Sequence, residues 1–304
     1  MRIIFIALGL TTMLTTFTAQ AEDGNDQSTI KICNQALQEG DTSKAISISN
    51  QLIDTNKNNR DAYLCKGRAL GQNKQLIESI EALKQADILS KTPREHMVAF
   101  TLMGNVYRNE KHYDEAIDSY SKSMEFAKLD NDKRFQSIDL NLIGDVKKDN
   151  NLFEEALSNY LSSETLASND NERADCYERI AATYSLLGKN DQAIEYQIKA
   201  QIMQERSGDL THQANAGLEM GRIYTVAKEY MKAEKSINQV LSLSKEQGGA
   251  YWEAKSYLYL GILQKSQGKI DEAKISFELA RQRSRQIGEV ELDQRVTQEL
   301  ENIR

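Results

Sequence analysis

The chain has 304 residues, with 38 Lys and Arg against 45 Asp and Glu and a formal net charge of −7. That balance argues against a general nucleic-acid or anionic-membrane role, since both want a basic face. Pro93 is the single proline, and the abundance of Ala, Leu, Glu, Lys and Gln favours helix.

The first 21 residues read as a leader. Arg2 supplies a minimal positive region, Ile3 to Leu10 is apolar, and Ala19-Gln20-Ala21 is a small-x-small cleavage site. Cleavage is predicted after Ala21, leaving a periplasmic or secreted chain with no direct membrane insertion. The rival is an uncleaved anchor, but the apolar stretch is short of the roughly 20 residues a spanning helix needs. Residues 22–28 form a short polar segment.

From there a motif recurs seven times. Each copy has a small residue eight positions into a helix, a bulky residue three later and a small one twelve later. The anchors are Cys33, Gly67, Gly104, Gly144, Ala181, Gly221 and Gly261, spaced by 34, 37, 40, 37, 40 and 40. Copies begin near residues 26, 60, 97, 137, 174, 214 and 254. A period in this range without a strand signal indicates stacked helical hairpins. In the clearest copy Phe100, Met103 and Tyr107 share one helix face, and Tyr113, Ala116 and Tyr120 mark the next helix. Gly104 is expected to admit the partner helix closely, with Ala116 as its counterpart. The last copy carries Tyr257, Leu260, Gly261, Ile270, Ala273 and Phe277. Residues beyond the basic period, such as 128–133 and 168–172, either extend helices or lengthen turns. Residues 288–304 hold Val290, Leu292, Val296 and Leu300 on one stripe, either a capping helix or an incomplete eighth repeat.

These positions resemble the tetratricopeptide repeat family, in an exported bacterial form with repeats of 37 to 40 residues. The resemblance implies an all-α, right-handed superhelical solenoid over residues 29–287, of about seven hairpins plus the C-terminal capping helix. In this family the inner surface is built mainly from the first helix of each hairpin, at positions 2, 5, 9, 12 and 13, the anchor being position 8. Carried over, position 9 gives Asn34, Arg68, Asn105, Asp145, Ala182, Arg222 and Ile262. Position 5 gives Ile30, Leu64, Thr101, Asn141, Glu178, Leu218 and Leu258, and position 12 adds Arg108, Lys148 and Lys265. The polar members suit a peptide backbone or carboxylate, and Leu218, Leu258 and Ile262 are expected to take apolar anchors of a bound segment. The family's clamp for chaperone C-termini is not reproduced: its five positions are occupied by Ile30, Asn34, Cys65, Val98 and Leu102, and only Asn34 matches.

Cys33 and Cys65 lie on the first helices of adjacent repeats. They are either a disulfide or two small packing residues. Nothing points to catalysis or to a cofactor or metal. His96, His112 and His212 are not paired at helical spacing, and His112 sits at a turn. Asp130-Asn131-Asp132 starts like a calcium loop but has Phe135 where glycine is required. The expectation is a non-enzymatic scaffold that binds a peptide or partner protein, with self-association possible. The alternative is a ligand-responsive regulatory module acting on a membrane partner.

Overall fold

The computed structural model describes residues 28–205 and 210–303, so the leader and cleavage site lie outside the described residues. Among the described residues every regular element is a helix, and no helix is long and apolar enough to cross a membrane. The chain divides into two units, the first ending at Val146 and the second beginning at Lys147. The first holds α1 (28–38), α2 (Thr42–Thr55), α3 (Arg60–Gln72), α4 (Leu76–Ile88), α5 (Pro93–Asn109), α6 (Tyr113–Leu129) and most of α7 (Lys133–Asp149). The second holds α8 (Phe153–Glu164), α9 (Asp170–Leu186), α10 (Asn190–Glu205), α11 (Leu210–Val226), α12 (Tyr230–Gln247), α13 (Ala250–Ser266), α14 (Ile270–Gln286) and α15 (Val290–Glu301).

Helix starts follow local chemistry. Thr92 caps α5 in a reciprocal box with Glu95, and Pro93 occupies the first turn, where its missing N–H costs nothing. Asp41, Asn59 and Asn169 cap α2, α3 and α9 through side-chain oxygens. The turn inside each hairpin is equally regular. Seven residues after every anchor the backbone enters the left-handed region, at Gly40, Lys74, Lys111, Asn151, Gly188, Lys228 and Gly268. The conformation is thus set by the turn, with glycine used at three of the seven positions.

Around 128–133 the residues beyond the basic period lengthen helices, whereas before α9 they lie partly in a five-residue connection, 165–169. α3 and α4 have 13 residues each, whereas α5, α6 and α7 have 17. Four more residues add about 6 Å of helix. The turn between α6 and α7 remains only 130–132.

Each hairpin closes around its anchor. A Cβ on Gly104 would lie 2.5 Å from the Tyr120 ring, one on Gly67 2.5 Å from Leu83, and one on Gly261 2.6 Å from Phe277. The glycine therefore makes room for the bulky residue sixteen positions on, and the backbone of the small residue twelve on closes against the same point, with Ser79 O 3.2 Å from such a Cβ at Gly67 and Ala233 O 3.5 Å from one at Gly221. Tyr120, Leu83 and Phe277 are fully buried in consequence. In the second unit Ala254, Leu258, Ala273, Phe277 and Ala280 join Leu292 and Val296 of α15 in one continuous core. α15 thus packs its apolar stripe on the preceding hairpin.

Cys33 and Cys65 form a disulfide, with their Cα atoms 6.5 Å apart. It joins α1 to α3 inside the first unit. Cys176 is a buried thiol outside this bond, 3.3 Å from the Ser163 hydroxyl.

Candidate functional site

In both units the first helices of successive hairpins touch each other, α3 with α5 and α11 with both α9 and α13. Side chains on that face therefore reach from one hairpin to the next. In the first unit Arg68 donates from Nη1 to Asn34 Oδ1 at 2.8 Å. The pair borders a 430 Å³ groove lined also by Ile30, Leu64, Val98 and Leu102, within the size range of ligand sites. Further along, Arg108 Nη1 lies 3.4 Å from Asp145 Oδ2, with Asp145 nearly buried.

The second unit carries a denser network. Glu178 on α9 accepts from Gln204 at 2.7 Å and from Asn215 on α11 at 3.2 Å. Burial raises its pKa, with those two hydrogen bonds opposing. Glu219 on α11 accepts from Arg222 Nε at 2.7 Å and from the Tyr259 hydroxyl of α13 at 2.9 Å. Burial alone would push this carboxyl up. Arg222, Tyr259 and Lys255 outweigh it and hold Glu219 below its ordinary value. Tyr259 itself is raised, by burial and then by Glu219. Lys255 is half-buried beside this cluster. Desolvation lowers its ammonium pKa, Glu219 opposes, and Arg295 of α15 adds to the lowering.

The expected site residues divide accordingly. Asn34 with Arg68 and Arg222 with Glu219 are half-buried pairs on the inter-hairpin face, and the half-buried Arg108 meets a buried Asp145. Asn105 gives its carbonyl oxygen to the Tyr120 hydroxyl at 2.7 Å, so part of its capacity serves the core. Lys148 and Ile262 are half-buried, and Ile262 packs against the core cluster. Three expectations are corrected. Leu218 and Leu258 have no exposed surface and are core residues. They face the second helix of the hairpin, so they hold the stack together and have no surface to offer a ligand. Asn141 is buried as well, at 8% exposure.

Sequence reasoning overlooked Glu219, Lys255, Tyr259 and Arg295. The signal was present in the register: Lys255 falls at position 2, and Glu219 and Tyr259 at position 6, one turn from the stripe at positions 5 and 9. Among the described residues no group of three or more His, Cys, Asp or Glu is placed to hold a metal.

The tetratricopeptide repeat family model matches residues 99–128 and 174–202. These spans are the body of the α5/α6 and α9/α10 hairpins. These two hairpins are tetratricopeptide repeats. Solved structures of similar fold include the apo form of RapI, at a TM-score of 0.62 and 14% identity over 89% of this chain and 79% of that one. The apo form of the quorum sensor NprR from B. thuringiensis has a TM-score of 0.59 and 16% identity, over 91% of this chain and 87% of that one. A Rap protein complexed with Competence and Sporulation Factor has a TM-score of 0.54 and 14% identity, over 92% and 98%. At such identities the likeness is one of fold. No curated protein sequence matches the chain significantly. In tetratricopeptide terms, the polar pairs above join positions 9 and 9, 12 and 9, and 6 and 6 of neighbouring repeats.

Proposed function

We propose that this protein is a non-catalytic interaction scaffold whose first-helix faces take a peptide or a segment of a partner protein. One observation carries the reading: half-buried charged and amide side chains gather on the face shared by successive first helices, where they bond across repeats. Glu219 with Arg222 and Tyr259, and Arg68 with Asn34, are preorganised donors and acceptors of the kind that bind a polypeptide backbone or its charged side chains. The fold likeness to a Rap protein complexed with Competence and Sporulation Factor supports the same reading.

We further propose that the protein works outside the cytoplasm after cleavage at Ala21. The leader pattern supports this, and a buried disulfide between Cys33 and Cys65 suits an oxidising compartment. The second reading, a ligand-responsive regulatory module, is favoured by the fold shared with the quorum sensor NprR. It requires a conformational response that a passive scaffold lacks.

The test is capture of partners from an envelope extract by the whole purified chain, alongside Arg68→Glu and Arg222→Glu. The scaffold reading expects a partner retained by the parent chain and lost from one of the variants. A parent chain that retains nothing, or variants that retain the same set, overturn it. A change in small-angle scattering on adding the captured partner favours the regulatory module.

A further inference from the structure

One copy of the repeat departs from the packing of the others. Four residues before the anchor, the second to fifth and seventh copies carry a bulky side chain: Tyr63, Phe100, Leu140, Tyr177 and Tyr257. Each of these is half-buried. Nineteen residues after the anchor the same copies carry a small one: Ala86, Ser123, Ser163, Ala200 and Ala280. The sixth copy exchanges the two, with Gly217 on α11 and Val240 on α12. The two positions face each other, since a Cβ on Gly217 would collide with the Val240 side chain. The exchange does not conserve volume, because valine is smaller than the side chains it stands in for.

The space left over is a cavity of 170 Å³ bordered by both residues, between α10, α11 and α12. It lies within the second unit. Two of its three walls are second helices of their hairpins, so it is distinct from the face shared by first helices. Met220 and Val240 are buried apolar walls, while Gln201, Gln204, Gln213 and Gln239 bring amides to it. Every described residue that lines it is uncharged. Each amide can both donate and accept. Gln204 is 5% exposed and is held in place, its Nε2 donating to Glu178 of α9 at 2.7 Å.

These walls select a ligand class. The size suits a single six-membered ring, since a cavity of about 150 Å³ takes up benzene. The amides suit an uncharged substituent that forms hydrogen bonds. An ionised substituent would lose its hydration with no opposite charge on the walls to meet it.

We propose that this cavity binds one uncharged aromatic ring of the phenol class, beside the glycine that replaces the bulky side chain of the other copies. The ring belongs either to a free small molecule or to a tyrosine of a polypeptide. The site is independent of the scaffold reading, which concerns the first-helix face.

The test titrates the whole purified chain with phenol, toluene, benzoate and N-acetyltyrosine amide, read by saturation-transfer NMR and calorimetry. Phenol is expected to bind about two- to ten-fold more tightly than toluene, the effect of one net hydrogen bond. Benzoate should bind about ten-fold more weakly than phenol. Binding of N-acetyltyrosine amide as tight as that of phenol supports the site and assigns the ring to a polypeptide; binding of phenol alone supports it and assigns a free molecule. Gly217→Tyr/Val240→Ala restores the pattern of the other copies and should abolish binding. Gln201→Leu/Gln239→Leu changes one half-buried and one exposed side chain and should remove the preference for phenol over toluene. Melting curves matching the parent's check that the variants fold, and if the ring-filling variant does not fold, the glutamine variant decides. No binding of phenol by the parent chain, undiminished binding by a folded ring-filling variant, or an unchanged preference in the glutamine variant overturns the proposal. Each of these results leaves the partner capture tested through Arg68 and Arg222 as it stands.

Discussion

Asp139 presents a carboxyl group with no exposed surface, and neither of its oxygens has a hydrogen-bond partner. It lies in α7. Burial is the dominant cause that pushes its pKa up from 3.8 to about 7. The folded protein therefore keeps this proton through a range in which the unfolded chain releases it. Stability from this group is fully present below pH 3.8, declines as the pH rises, and is gone above about 7. About 3 pH units at 1.36 kcal/mol each amounts to about 4 kcal/mol, as an order of magnitude. Asp139→Asn keeps the shape and removes the ionisation. It should match the parent at pH 4 and exceed it at pH 8 by up to that amount. Hydrogen exchange on peptides from α5, α6 and α7, corrected for intrinsic rates, measures the local stability across this range. Peptides from α13 serve as an internal control. A variant whose first-unit stability follows the same pH slope as the parent's refutes the reasoning, because the slope would then belong to other groups.

Three further outcomes are expected. Gly104→Ala forces a methyl group to within 2.5 Å of the Tyr120 ring; overpacking of this kind costs about 1–3 kcal/mol, and the urea midpoint of the first unit should fall. Lys111→Gly relieves a left-handed lysine at φ 62° and should stabilise by about 1 kcal/mol, read as a rise in the thermal midpoint. Reduction of the Cys33–Cys65 bond opens a loop of sequence separation 32. It should cost about 3–4 kcal/mol on the chain-entropy account, and exchange protection should drop in α1 and α3 but not in α13.

The hairpins were legible because a glycine, a bulky residue and a small residue recur in fixed register, and each is required by close helix contact. What faces what was less legible. Periodicity places Gly104 and Ala116 near one another, but only the backbone directions show that the space beside Gly104 belongs to Tyr120. Leu218 and Leu258 were expected on the ligand face because position 5 sits at its margin, and there the depth of a side chain depends on helix rotation. Asp139 reads as an ordinary solvated charge in a polar sequence, since burial of a lone carboxyl leaves no periodic trace.

A stack in which each hairpin holds only its neighbours loses structure inward from its free ends. The bond between Cys33 and Cys65 removes one such route from the first unit. A pull on the N-terminus is delivered through Cys33 to Cys65, in the middle of α3, and the 33–65 segment is shielded from load. α1 cannot peel away alone. Under tension the oxidised first unit should yield as one block of at least two hairpins, and its measured contour length should fall short by the segment the bond encloses. The same protein, reduced, should give that length back.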